Sequence, residues 1–297
     1  MENKRTRPGW ATIALSILLT LGSLEALAED EVILRRVPGL QALPSAYTMQ
    51  LLYAALDSTQ DEFGPYTLRY SDKEMSRTRT FNEIKEGTRV NIVDLPLIDD
   101  WEASVICIPV PIQRGIVSYR LFFVHKNNKD LLANVKTLEE LKKIRQGSGH
   151  EWSITQALET DNFNIVTGPT KLSLMNMLQA GRFSIYSRGI NEVYGELNRY
   201  KETHPDIVLD EHVALYSYLP SYFYVSPKAK RIAERIEKGL RNINEDGTYE
   251  NLFFKYNEKS LELAQIQKRK VFILNQERDS GELWERDKEY LYTPSMK

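Results

Sequence analysis

The sequence predicts an α/β protein built as two doubly wound lobes joined by two crossover strands. Short apolar runs alternate with helix-period patterns along most of the chain. The alternation forms two series, each of about a hundred residues and so of domain size. Long apolar runs at residues 119–124 and 222–225 stand where the chain would pass from one series to the other.

The elements follow in order. Residues 32–36 read as a strand, and Met49, Leu52, Tyr53 and Leu56 recur at helical spacing. Residues 66–70 and 90–93 are again strand-like, completing a βαβαβ pattern, the signature of a parallel sheet covered by helices. The long strand 119–124 follows. The second series then has a helix around Leu138, Leu141 and Ile144, a helix from Ser153 and a strand at 164–166. A helix carrying Leu174, Met175 and Leu178 precedes a strand at 183–186, and Ile190, Val193, Tyr194 and Leu197 mark the next helix. Strand 222–225 and the helix of Ile232, Ala233, Ile236, Leu240 and Ile243 close the pattern. The expected organisation is an export segment (1–28), a discontinuous first lobe (29–122 and 222–260), a second lobe (123–221) and a charged tail (261–297). The tail is expected to lie over the surface or to be a poorly ordered end.

Composition narrows the function. The 297 residues are 42% hydrophobic and 27% charged, which excludes disorder and a fibrous repeat. The formal charge of -2 supplies no field to draw nucleic acid or an anionic membrane. At the N-terminus, Lys4, Arg5 and Arg7 precede a short apolar run and the small-x-small site Ala26-Leu27-Ala28, the pattern of a secretory signal peptide cleaved after Ala28. An uncleaved anchor is the competing reading, but the run is short of the ~20 residues that span a bilayer. Position 29 is Glu and not the Cys of a lipid anchor, so the periplasm is the expected compartment. The single Cys107 excludes an intrachain disulfide and is expected to be a buried, inert thiol.

Motif searches return nothing for nucleotides, metals or hydrolase triads. No phosphate-binding glycine loop occurs, the four histidines have no zinc spacing, and no G-x-S-x-G elbow is present. No cofactor and no metal are expected.

Several stretches resemble the family 3 periplasmic solute-binding proteins, the amino-acid-binding class of ABC-transporter receptors. They are Tyr222-Phe223-Tyr224-Val225-Ser226-Pro227-Lys228, Asp246-Gly247-Thr248-Tyr249, Leu178-Gln179-Ala180-Gly181-Arg182-Phe183, and Tyr119-Arg120-Leu121-Phe122-Phe123-Val124-His125-Lys126. The resemblance spans roughly residues 30–257 and implies a periplasmic binding protein type II-like fold that closes on a solute. It further implies a small-molecule ligand, an ABC permease or membrane sensor as partner, action as a monomer, and no catalysis. Two departures stand out. Where the family carries an Arg for the ligand α-carboxylate, this chain has Asp99-Asp100-Trp101-Glu102-Ala103-Ser104. Where the family places an Asp for the α-ammonium, it has Ser187-Arg188-Gly189-Ile190-Asn191-Glu192. A positive side chain in place of a negative one points to an anionic solute or to something other than a free amino acid.

In doubly wound lobes ligands lie beyond the carboxyl ends of the strands. The candidate ligand-binding residues are therefore Arg114, Tyr119, Trp152, Ser153, Thr167, Arg188 and Glu192. Ser153 is expected to cap a helix whose free N–H groups face a carboxylate, or to be a plain cap. Thr167 sits at a second strand-to-helix junction with the same two readings. Arg188, expected just beyond a strand end, and Arg114 either converge on one carboxylate or form ion pairs, with Glu192 the natural partner of Arg188. Tyr47, Tyr119 and Tyr186 are candidate pocket walls or core. Two rival functions remain open. One is a periplasmic dehydratase on the same fold, with Glu192 or Glu151 as proton donor; the other is a degenerate receptor acting through a protein partner.

Overall fold

The computed structural model describes residues 29–36, 46–97, 104–150, 152–274 and 282–293. The export segment, Glu151 and residues 99–103 lie outside the described residues. Among those described, no helix is long and apolar enough to cross a membrane.

The first lobe runs β1 (Asp30–Arg36), α1 (Ala46–Asp57), α2 (Gln60–Phe63), β2 (Tyr66–Glu74), α3 (Arg77–Glu86), β3 (Ile92–Pro96) and β4 (Ile106–Cys107). Next come β5 (Tyr119–His125) and the second lobe: α4 (Leu138–Lys143), β6 (Gln146–Gly149), α5 (Ser153–Thr160), β7 (Ile165–Gly168), α6 (Lys171–Gln179), β8 (Ile185–Gly189), α7 (Ile190–Tyr200), β9 (Ile207–Leu209) and β10 (Val213–Tyr216). The chain returns through β11 (Ser221–Val225), α8 (Lys230–Glu245) and α9 (Thr248–Ala264), and ends in β12 (Lys270–Ile273) and α10 (Glu282–Asp287).

Two sheets result. One has the order β2-β1-β3-β11-β4; the other has β12-β10-β5-β8-β6-β7, with β9 also paired to β5. β1, β2 and β3 are parallel, as are β6, β7 and β8, while β11 and β5 enter their sheets antiparallel. This is the predicted two-lobed fold. The crossover strands read as largely apolar runs because both of their faces are covered. Leu121 and Phe123 of β5 join one core cluster, and Phe122 and Val124 join another. The connections meet side by side: the N–H of Ser217 donates to the carbonyl of Ser118 at 3.0 Å, and that of Leu219 to the Ser118 hydroxyl at 3.0 Å.

Two expectations are corrected, after one strand that local pattern did not announce. β6 has no apolar alternation, since Gln-Gly-Ser-Gly supplies two glycines; it is held by parallel pairing to β7 and β8. Cys107 is half-buried, not buried, because it lies on the short edge strand β4. The segment after residue 261 is more than a surface tail. Phe272 and Leu274 enter the second-lobe core, and β12 extends that sheet beside β10. Asp287 is fully buried and accepts hydrogen bonds from the hydroxyls of Tyr218 (2.7 Å) and Tyr222. The Tyr292 N–H donates to the carbonyl of Arg114 at 2.8 Å. A few apolar residues among many charged ones anchor this stretch, too few to give a period.

Candidate functional site

A cleft of about 290 Å³ opens between the two sheets. The first sheet contributes Pro96 and Ser221, and the crossover segments contribute Gln113, Val117 and Leu219. The second lobe contributes Arg120, Trp152, Ser153, Ile154, Lys171, Arg188, Asn191 and Glu192. These positions cluster where β8 ends, β5 begins, and α5, α6 and α7 start, the edge at which doubly wound sheets take ligands.

Register explains how two arginines reach this edge. In the antiparallel β5–β8 pair, Leu121 faces Arg188, and Arg120 faces Gly189. Side chains alternate along a strand, so Arg188 shares a sheet face with Leu121, and Arg120 extends from the other. Both guanidiniums lie at the cleft end of the sheet, and their surroundings differ sharply.

Arg188 is 3% exposed and paired with two carboxylates. Its Nε and Nη2 donate to the two carboxylate oxygens of Glu196, each at 2.8 Å, and Nη2 also bonds Glu192. Lys171 completes the group at 2.9 Å from Glu196 and 3.5 Å from Glu192. Burial alone would lower the Arg188 pKa, but Glu192, Tyr186 and Glu196 hold it above its usual value. Burial likewise pushes Glu192 up, yet Arg188, Lys171 and Arg120 outweigh it and keep the carboxyl below its usual range. The guanidinium of Arg188 also lies 4.5 Å from the centroid of the Trp152 ring. Trp152 rests on Gly149, where a Cβ would come within 2.1 Å of the indole, so only glycine admits this placement.

Arg120 is 2% exposed and differently held. Its Nε donates to the Ser187 hydroxyl at 3.4 Å and its Nη2 to the Ser187 carbonyl at 3.1 Å. Gln146 Nε2 fixes the same hydroxyl at 2.9 Å. Burial, with Arg188 adding to it, pushes Arg120 down to about 10 against the opposing pull of Glu192, Tyr186 and Glu196. Sequence reasoning quoted Arg120 only as part of the crossover run; an Arg inside an otherwise apolar strand was the signal that it carried more.

The sequence candidates divide. Trp152, Ser153, Arg188 and Glu192 line the cleft, and Arg114, Tyr119 and Thr167 are absent from its lining. Ser153 is not the cap: Trp152 occupies that position with no side-chain cap bond, and Ser153 is the first helical residue. Arg188 sits inside β8, not beyond it, because the strand runs to Gly189. Its pairing with Glu192 is the ion-pair reading, buried instead of superficial. Arg114 does not converge with it. Arg114 and Gly115 take left-handed φ values of 47° and 75°, and the guanidinium lies over Tyr249 and Phe253, 3.7 Å from Glu250. Thr167 is exposed on the edge strand β7, and the next helix is capped by Thr170. Tyr119 is buried against Tyr216 at 4.8 Å, Tyr47 packs on Phe253, and Tyr186 stands beside Trp152. Among the described residues no cluster of three or more His, Cys, Asp or Glu is placed to hold a metal.

No protein-family model and no curated protein sequence matches the chain. Solved structures do. A putative binding component of an ABC transporter from Wolinella succinogenes, complexed with lysine, matches with a TM-score of 0.56 at 14% identity, over 77% of this chain and 95% of that one. A histidine kinase sensor domain with similarity to periplasmic binding proteins matches with a TM-score of 0.56 at 14% identity, over 78% and 96%. A structure from work on glutathione import through a cystine ABC importer of Streptococcus mutans matches with a TM-score of 0.57 at 12% identity, over 78% and 96%. The chain thus has the fold of the two-lobed solute-binding proteins. The resemblance read from its sequence holds at the level of the fold.

Proposed function

We propose that this protein is an exported solute-binding protein that closes its interlobe cleft on a small polar or anionic solute and presents it to an ABC permease or a membrane sensor. The observation that carries this reading is the cleft itself. It is lined from both sheets and lies beside a connection of two segments of the chain at Ser118 and Ser217, the arrangement from which hinge closure proceeds. The folds it shares with a lysine-bound transporter component and a kinase sensor domain support the same role. Glu192, one of the two acids a dehydratase reading would use, is held ionised by Arg188 and Lys171 and is a poor proton donor; the other, Glu151, lies outside the described residues. Export with cleavage after Ala28 and action as a monomer in the periplasm belong to the same reading, the export supported by the sequence pattern of Lys4, Arg5, Arg7 and Ala26-Leu27-Ala28.

Native mass spectrometry of freshly purified protein tests the proposal. The expected result is a retained small molecule, lost on unfolding, whose re-addition raises the melting temperature without being consumed. Turnover of that molecule would replace the binding role with an enzymatic one. Amino-terminal sequencing of exported protein should begin at Glu29.

A further inference from the structure

We infer that the cleft receives the carboxylate of a small monoanionic solute on Arg120, with the solute's apolar body against Trp152, Ile154 and Leu219. The inference rests on the solute-binding role proposed above and specifies the ligand of that site.

The argument starts from charge. A guanidinium removed from water is strongly disfavoured unless an anion meets it. The first-lobe and network arginines comply, Arg235 with Asp30 and Arg188 with two glutamates. Arg120 does not: among the described residues no carboxylate comes within 4.0 Å of it, and only its Nε and Nη2 are engaged, both by Ser187. Glu192 and Glu196 cannot serve it without abandoning Arg188 and Lys171. Burial and the neighbouring Arg188 depress the Arg120 pKa, and the pull of Glu192 and Glu196 does not offset them.

Geometry then places the missing anion. Arg120 lines the cleft, so the side of its guanidinium not committed to Ser187 is the side a solute meets. Ser187, itself fixed by Gln146, holds the guanidinium in place before any solute arrives, which spares the ordering that binding would otherwise require. One surplus cation calls for one negative charge; a dianion would bury a charge of its own. The planar fork of Arg suits a carboxylate. Asn191, also in the lining, leaves its Oδ1 buried without a partner; as an acceptor it would take an N–H or O–H of the solute and not the carboxylate itself. At about 290 Å³ the space suits a metabolite-sized acid.

The test uses three probes on one carbon skeleton: hexanoate, hexanamide and hexylammonium. Thermal shift and calorimetry are run on the wild type, Arg120→Gln and Arg120→Lys, beside the mass of any solute carried through purification. Hexanoate alone should stabilise the wild type. Arg120→Gln should weaken its binding about thirtyfold or more, as losing one partner of a buried charge pair does. Arg120→Lys should fall between. Without ligand, Arg120→Gln should melt no lower than the wild type, because it removes an uncompensated charge; a lower melting point would make Arg120 a structural residue and overturn the inference. Stabilisation by the amide or the ammonium, a neutral or cationic copurified solute, or unchanged binding in Arg120→Gln would overturn the carboxylate assignment while leaving the solute-binding role intact. No copurified solute and no response to any probe would remove the binding role, and this inference with it.

Discussion

The base of the first lobe and the cleft end of the second lobe each bury an arginine, and the two are treated in opposite ways. Arg235 is 0% exposed; its Nη1 donates to Asp30 at 2.8 Å, and its Nη2 to the carbonyls of Gly64 at 2.8 Å and Leu56 at 3.2 Å. It stitches β1, α8 and the turn before β2 into one body. Arg120 is almost as enclosed but meets only one serine. A buried charge met by a carboxylate of the same fold is architecture, because the group that balances it belongs to the chain. A buried charge left open toward a cavity is a receptor in waiting, since what completes it must come from outside. The Arg188 network shows that residues in the cleft can also be of the first kind.

Substitutions can break or sharpen that contrast. The largest effect is expected from Arg235→Ala, which takes the buried partner from the Asp30 carboxylate, leaves it only the half-buried Arg231 at 3.0 Å, and should cost roughly 3–5 kcal/mol in urea unfolding. A loss below about 1 kcal/mol would show that burial is not what locks the first lobe. Asp287→Ala should follow at about 2–3 kcal/mol, because the buried hydroxyls of Tyr218 and Tyr222 lose a charged acceptor. Truncation after residue 281 should match it, and a much milder truncation would mean that the segment merely rests on the lobes.

Asp94 extends the comparison to an acid. It lies on β3 opposite Phe223, and burial pushes its carboxyl up to about 6, against the pull of Arg35. Its folded value lies above its unfolded one, so the native state holds this proton more tightly. The stability linked to it is complete below about pH 4, declines as pH rises to about 6 and is flat beyond. Asp94→Asn keeps the neutral form at every pH. It should therefore raise stability by about 1–2 kcal/mol near pH 8 and leave it unchanged near pH 4. An equal gain at both values would place the effect in packing. The smallest change belongs to Arg120→Gln without ligand, expected within about 1 kcal/mol of the wild type and on the stabilising side. Against Arg235→Ala it gives the contrast its sign as well as its size.

Much of the fold was legible in the sequence because its elements carry their own period. Leu51, Leu52, Ala55 and Leu56 line the buried side of α1, and Phe122-Phe123-Val124 needs both faces covered wherever it is placed. β6 and β12 were not legible. Gln-Gly-Ser-Gly is a strand only because β7 and β8 flank it, and Lys-Val-Phe-Ile joins a sheet because β10 leaves an edge open.

For the site, the sequence alone determined that Trp152, Ser153, Arg188 and Glu192 stand at the ends of second-lobe elements, since strand ends follow from local pattern. Only the tertiary structure decided how the charges are shared. Glu196, eight residues from Arg188 along the chain, takes two of its donors; Arg114 turns into the first lobe; and Arg120, one residue into an apolar strand, is left facing the cleft. The physical reason is reach. Secondary structure is set by neighbours a few residues apart, whereas the worth of a charge is set by whatever lies within a few ångströms in space, and no local pattern records that.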